Sequence, residues 1–453
     1  MTATESSVAI VGTGIIGIAS AYYLWKNHGI QDIVLIDQGQ PLGFTSAQSG
    51  DNYRNWWPST LMMNFTDRSI DLMEQLADET DNRFAMTRRG YILATRQPGM
   101  QPILDQLTAC LGDKSDSQIR YHDRNSRSYF PPVSADWREA PDGFDLLSDP
   151  ALIRGCFPSL DSDVKTILHV RRGGDISGQQ LGQVMLEQLQ RAGVRRVAGM
   201  VAGIGQDKGF VIQLNAEGEA TSIRAERIVN AAGPFAGEIA EMLGVSLPLY
   251  NVMQQKIAFP DTEGAIPRDL PFTIDMDRQS IDWDPEDRAI LAEDPSTAHL
   301  ALEMPGAIHC RPEGGMNSNW LKLGWAYNET AQPADWTIPL DPRFPEIVLR
   351  GAARLNPGLK AYYGKLPRQM SHYGGWYTRT RDNWPLIGPM GPEGAFMACG
   401  LSGHGTMAAC ATGELLASWL TGAALPDYAQ PFSMQRFTES GLRQTAELET
   451  GLL

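Results

Sequence analysis

Val8-Ala9-Ile10-Val11-Gly12-Thr13-Gly14-Ile15-Ile16-Gly17 opens the chain and decides its fold. Four apolar residues with no polar interruption read as a strand buried on both faces. The Gly-x-Gly-x-x-Gly behind it opens an apolar helix that runs to about Lys26. Each glycine has its own physical role. Gly12 permits the tight turn, Gly14 lets the backbone approach a pyrophosphate, and Gly17 lets the helix pack on the strand. Phosphate oxygens would then sit on the unpaired N–H groups of the helix N-terminus, where the helix dipole favours negative charge. A second apolar strand, Ile33-Val34-Leu35-Ile36, ends in Asp37, twenty residues beyond Gly17. That carboxylate can accept from ribose hydroxyls and would repel a ribose 2′-phosphate.

Composition sets outer limits. At about 150 residues per domain, 453 residues fit roughly three domains or a large two-domain enzyme. The balance of 38 basic against 53 acidic side chains gives −15, which disfavours nucleic acid or an anionic membrane as partner. Five cysteines, odd in number and without a CxxC pair, indicate neither a disulfide framework nor a zinc site, and read as reduced thiols in a cytoplasmic protein. The N-terminus has no basic segment and enters its first strand within eight residues, which argues against a cleavable signal. Residues 395–420 are the most apolar long stretch, but four glycines, His404 and Glu414 interrupt it, so a buried helix is expected and no membrane span.

Beyond Asp37, residues 41–54 are small, polar and glycine-punctuated, a loop whose hydroxyls could face the same phosphates. Trp56-Trp57 follow, costly to expose and suited to a pocket wall. Residues 59–79 read as an amphipathic helix and 89–94 as a strand. Residues 113–150 carry many Asp, Ser, Arg and Pro with little periodicity, an insertion or long loop. Gly173-Gly174-Asp175-Ile176-Ser177-Gly178 precedes a helix over 179–192, with strands over 195–204 and 210–214. Ile228-Val229-Asn230-Ala231-Ala232-Gly233-Pro234 is a buried strand ending in a tight turn. From 245 to about 373 the texture is β-rich with many prolines and tryptophans, which marks a second domain. There the strand 319–325 puts Trp320, Lys322 and Gly324 on one face. The chain then returns through residues 376–388 and a strand at 395–398 to Gly400-Leu401-Ser402-Gly403-His404-Gly405-Thr406. This second glycine-rich strand-to-helix turn can serve the far end of a long anionic ligand.

Taken together these motifs resemble the FAD-dependent amine oxidases of the D-amino-acid oxidase superfamily, nearest in pattern to monomeric sarcosine oxidase and glycine oxidase. The motifs stand in the family order: GTGIIG with Asp37, the polar loop 45–54, GGDIS, VNAAGPFA at 229–236, WLKLGW at 320–325, YTRTRDNWPLIG at 377–388 and CGLSGHG at 399–405. The resemblance implies that Gly12, Gly14, Ile15, Ile16 and Gly17 hold the FAD pyrophosphate and Asp37 with Gln38 the adenosine ribose. It implies that Thr45, Ser46, Gln48 and Ser49 run beside the phosphates and ribityl chain, and that the Val201 backbone meets the adenine. Gly233 and the turn Gly400, Ser402, Gly403, His404, Gly405 and Thr406 complete the cofactor contacts, the helix after His404 pointing at the flavin pyrimidine edge. Lys322 matches the family lysine that activates oxygen. Three departures matter. Gly375 stands where sarcosine oxidases carry the cysteine that links flavin, and Gln48 and Ser49 stand where dimethylglycine-type enzymes carry a histidine, so FAD is expected to be noncovalent. Met407 replaces a lysine that pairs the substrate carboxylate, which leaves Arg54 as the basic candidate.

The expected fold is α/β: a Rossmann-like FAD domain (1–88, 155–244, 374–430) and a mixed-sheet substrate domain (89–96, 245–373). Residues 97–154 are read as an insertion or lid and 431–453 as a C-terminal tail. The expected reaction takes hydride from a carbon next to an amine nitrogen of an amine or amino acid, with Lys322, Arg54 and His404 as catalytic residues and O2 as acceptor. Rival readings are a 2-hydroxy-acid or amine dehydrogenase using another acceptor, and a non-catalytic FAD-bearing assembly protein.

Overall fold

A computed structural model describes residues 4–123, 128–132, 137–216 and 219–437. The opening strand covers Thr4–Val11 and pairs in parallel with Ile33–Asp37 on one side and with residues 223–230 of Glu219–Asn230 on the other. Its alternation explains the unbroken apolar run. Val8 and Ile10 enter one hydrophobic core while Ala9 and Val11 enter another on the opposite face, the pattern of a parallel strand covered on both sides. Arg195–Ala198 extends the parallel core outside Ile33–Asp37, and Ala395–Cys399 extends it beside residues 228–230. Antiparallel Met200–Gln206, Phe210–Ala216 and Leu386–Pro389 complete an eight-stranded sheet. Two helices lie together on one face, Ile15–His28 and Gly405–Thr421. A Cβ on Gly413 would stand 2.4 Å from the Ala19 carbonyl oxygen, so this glycine sets how closely the two helices approach.

The second sheet has nine strands, in the order Ser371–Arg379, Tyr250–Pro260, Trp320–Gly324, Ile308–Glu313, Phe272–Asp275, Tyr91–Thr95, Thr166–Val170, Phe144–Leu147 and Ile119–His122. It is mixed, with parallel pairs at 272–275 beside 91–95 and at 119–122 beside 144–147. The fold class read from the sequence is the one observed.

Several boundaries differ from the sequence reading. Residues 97–154 are not simply an insertion, because they supply the helix Gln101–Leu111 and the last two strands at one edge of the nine-stranded sheet. Their polar composition resembled a loop because the polar groups satisfy one another. Asp145, 1% exposed, accepts from Arg120 Nε at 2.6 Å and is paired with Arg171, with His122 Nε2 at 2.8 Å. Thr166–Val170 belongs to this sheet rather than to the nucleotide-binding part, and so do residues 374–379 of the strand Ser371–Arg379. The single strand read at 195–204 is two, broken at Gly199. The start of the supposed tail is packed: Phe432 is fully buried, and Arg436 pairs with Asp382 at 2.8 Å and donates to the Trp384 carbonyl. The rest of that segment, 438–453, lies outside the described residues. All five cysteines are free, and no helix among the described residues is long and apolar enough to cross a membrane.

Candidate functional site

The two sheets meet around a cavity of 430 Å³. Of the residues singled out from the sequence, Gly12, Gly14, Ile15, Ile16, Asp37, Thr45, Ser46, Gln48, Ser49, Gly233, Gly400, Ser402, Gly403, Gly405 and Thr406 line it. Gly17, Gln38, Val201, Arg54, Lys322 and His404 are not in the lining.

One end is built from the opening turn. Gly12 has φ +108°, and a Cβ there would stand 2.2 Å from the Ala231 carbonyl oxygen, so two turns from distant sequence close on each other. Gly17 serves packing alone: its Cβ would stand 1.9 Å from the Gly12 carbonyl oxygen. Asp37 accepts from the Thr13 N–H at 2.7 Å and the Thr13 hydroxyl at 2.9 Å with one oxygen, and from the Gly39 N–H at 2.9 Å with the other. The helix Ile15–His28 has no side-chain cap from its own Ncap residue Gly14; Ser46 Oγ, from the polar loop, accepts the Ile15 N–H at 2.9 Å. The buried Thr45 hydroxyl in the lining has no partner among the described residues.

The other end is built from the second glycine-rich turn. The helix Gly405–Thr421 also lacks a side-chain cap, and the Thr406 hydroxyl donates to Ser49 Oγ at 2.8 Å. A Cβ on Gly403 would stand 2.5 Å from the Tyr377 ring, and one on Gly375 would stand 3.0 Å from Gln48 Cβ. The polar loop, the strand Ser371–Arg379 and the second turn are therefore in mutual contact. Two helix N-termini without a cap from their own Ncap residue, an orphaned hydroxyl and a glycine-rich lining fit a long anionic cofactor. Asp37 is the one acidic residue in the lining among the described residues.

Above this end lies one face of the nine-stranded sheet. Register places Tyr373, Lys256, Gly324 and His309 in one row and Ser371, Ala258, Lys322 and Arg311 in the next. The opposite face carries Ile257, Leu321, Leu323 and Cys310 into a hydrophobic core. The alternation read for 320–325 therefore holds, but Lys322 is not a solvent-face residue. It is 5% exposed, pairs with Glu313 at 3.0 Å and donates to the Ser49 carbonyl at 3.4 Å. Burial lowers its pKa, and the Arg311 charge lowers it further. Arg311 pairs with the same Glu313 at 2.7 Å.

Arg54 is 1% exposed, its guanidinium 4.8 Å from the Tyr91 ring and 4.9 Å from the Trp57 ring, and its Nε donates to the Trp56 carbonyl at 3.1 Å. Burial lowers its pKa. Trp56 and Trp57 are buried as read, but as walls of this arginine box rather than of the cavity. His404 stands edge-on to Trp57, ring centroids 5.0 Å apart. Burial, with the Arg54 and Arg379 charges, pushes its pKa down to about 3, so the imidazole is neutral; its buried Nε2 has no partner among the described residues. Sequence reading missed Lys256, Tyr377 and the aromatic trio Phe44, Phe235 and Trp336, all in the lining. Phe235 stacks on Trp336 at 4.6 Å. These residues come from separate segments, so only strand register and loop packing bring them together.

Comparison with known proteins gives a family match over residues 7–419, described as "DAO: FAD dependent oxidoreductase". Mitochondrial dimethylglycine dehydrogenase of Rattus norvegicus is 23% identical over 423 residues, 92% of this chain and 43% of that protein. Sarcosine oxidase subunit beta of Arthrobacter sp is 32% identical over 130 residues, 29% of this chain and 28% of that protein. The chain thus spans less than half the length of these relatives. Among solved structures, L-proline dehydrogenase from P.horikoshii has a TM-score of 0.72 at 18% identity, covering 96% of this chain and 99% of that one. Glycine oxidase from Geobacillus kaustophilus has 0.68 at 18%, covering 95% and 98%.

Proposed function

The chain belongs to the DAO family of FAD-dependent oxidoreductases, and on that premise we propose that it oxidises a small amine or amino acid at a carbon next to nitrogen, giving an imine that water hydrolyses. The observation that carries this reading is the cavity at which two helices begin without a cap from their own Ncap residue, with an acid, Asp37, at its nucleotide end. FAD in that cavity would accept the hydride and pass two electrons to O2, giving hydrogen peroxide; the rest of the work falls to side chains. The opening turn and the Ser46 hydroxyl hold the pyrophosphate, Asp37 the ribose, and the Gly405 helix N-terminus the far ring. Arg54 holds the substrate carboxylate from its aromatic box, where burial strengthens a charge-assisted hydrogen bond. His404, kept neutral, offers Nε2 to a ligand atom without adding charge. Lys322 serves the oxygen step from behind the Ser49 backbone.

FAD is held noncovalently in this reading. Gly375 and Gln48 face each other where a linking residue would stand. Cys399, the cysteine in the lining, has its thiol pushed up to about 12 by burial, so it is not a nucleophile at neutral pH. Free thiols on all five cysteines support a cytoplasmic protein. The test is anaerobic mixing of the FAD-loaded protein with a panel of N-methyl amines, amino acids and 2-hydroxy acids. Bleaching by amines, followed by peroxide formation on admitting air, supports the proposal. Bleaching by hydroxy acids alone refutes the substrate class, and reduced protein that persists in air refutes oxygen as acceptor.

A further inference from the structure

We propose that Lys256, a residue outside every motif of the sequence, is the cation that this chain presents directly to the cofactor, where it stabilises negative charge on the ring system. The inference rests on the reading of the cavity as an FAD site. Lys256 lies mid-strand in Tyr250–Pro260, is 3% exposed and lines the cavity, which Lys322 does not. Its ammonium donates to the Gln48 carbonyl at 3.4 Å and to the Tyr377 hydroxyl at 3.3 Å. Both acceptors are neutral.

The contrast with Lys322 is electrostatic. Lys322 is offset by Glu313 at 3.0 Å and donates to the Ser49 backbone rather than reaching the cavity. Lys256 forms no ion pair with a carboxylate among the described residues. Its cross-strand neighbours are Gly324 and Tyr373, and beyond Gly324 stands His309, whose pKa burial and then the Lys256 charge push down to about 3, so that it too is neutral. A buried ammonium facing only dipoles is costly, and an anionic ligand in the same space offsets that cost. The helix N-terminus at Gly405 opens on the same end of the cavity, since the Tyr377 ring that meets Lys256 also packs on Gly403. Lysine charge and helix dipole therefore add at one place.

Sulfite is the probe. It forms an N–S bond to the bound ring with its own electron pair, leaving one unit of negative charge on the ring, so its dissociation constant reads the local potential without any turnover. The wild-type holoprotein, Lys256→Met, Lys256→Arg and Lys322→Met are each loaded with FAD and titrated. A charge-assisted contact of about 1.5 to 3 kcal/mol corresponds to a tenfold to hundredfold rise in the sulfite dissociation constant for Lys256→Met. Lys256→Arg should stay within about threefold of wild type. Lys256→Gln, which keeps a donor but no charge, should behave like Met and covers the case in which Met fails to fold. An unchanged constant in the uncharged variants, a rise confined to Lys322→Met, or a wild-type protein inert to sulfite would each overturn the proposal. Failure of the wild-type apoprotein to bind FAD at all would overturn the reading on which it rests, and FAD titration separates that case from the others.

Discussion

Replacing Lys322 by Met separates the two half-reactions. The methionine keeps the length and apolar stem that lie between Arg311 and Ala258 in the sheet while deleting the ammonium. Breaking a buried pair by removing one partner typically costs about 3 to 5 kcal/mol, because the other charge is left alone. Here it is not left alone: Glu313 keeps Arg311 at 2.7 Å, and is itself partly exposed. The lowered pKa of Lys322 also means that its surroundings disfavour the charge being removed. Folding stability should therefore change by no more than about 1 kcal/mol, a shift of about 1 °C in Tm for a chain of this length. The oxygen step should respond far more. One preorganised donor at a developing anion contributes about 2.7 to 4 kcal/mol, or a hundredfold to a thousandfold in rate. Because Glu313 offsets part of the field at 3.0 Å, the lower end, about a hundredfold, is expected. Stopped-flow measurement of anaerobic reduction by the amine and of reoxidation by O2, made separately, is the assay. Reduction should keep its wild-type rate. A variant that reoxidises as fast as wild type would refute the role of Lys322 in the oxygen step.

Three further outcomes are expected. Acid precipitation should release the yellow colour into the supernatant; flavin retained in the pellet would refute noncovalent binding. Arg54→Met should raise KM for carboxylate-bearing substrates about tenfold to a hundredfold with kcat less affected, as a charge-assisted hydrogen bond of about 1.5 to 3 kcal/mol requires, and Arg54→Lys should recover part of it; equal loss on substrates without a carboxylate would assign the arginine to packing of Trp57 and Tyr91 instead. Finally, His169, His309 and His404 are each pushed from 6.5 down to about 3, burial being the main cause. The unfolded chain binds protons there that the folded protein refuses, so stability is full above about 6.5 and falls as pH drops towards 3. At pH 5 each contributes a loss of up to about 2 kcal/mol, at roughly 1.4 kcal/mol per pH unit. Thermal denaturation between pH 7.5 and 5 reads it, and a Tm independent of pH over that range would contradict the buried neutral state.

Much of the nucleotide half was legible because its determinants are local. A strand buried on both faces must be apolar throughout, a turn against a carbonyl oxygen must be glycine, and a helix opening on phosphate takes a residue without a capping side chain at its Ncap; residues 8–17, Asp37 and 400–406 carry all of this within short spans. The family order of seven motifs then specified the two-sheet architecture. The outer strands at 119–122 and 144–147 were hidden because Asp145, His122 and Arg171 look like loop residues one at a time and are buried only as a hydrogen-bonded cluster, with the part-exposed Arg120 at its edge. Likewise, sequence named Lys322 by its motif, whereas strand register decided which lysine reaches the cavity. Lys256 stands in an otherwise unremarked strand, and only its pairing opposite Gly324, with Tyr377 two residues on from Gly375 along the neighbouring strand, turns its ammonium toward Gln48. Charge at a site is a sum over neighbours from distant segments, and that sum exists only once the sheets have closed over the cavity.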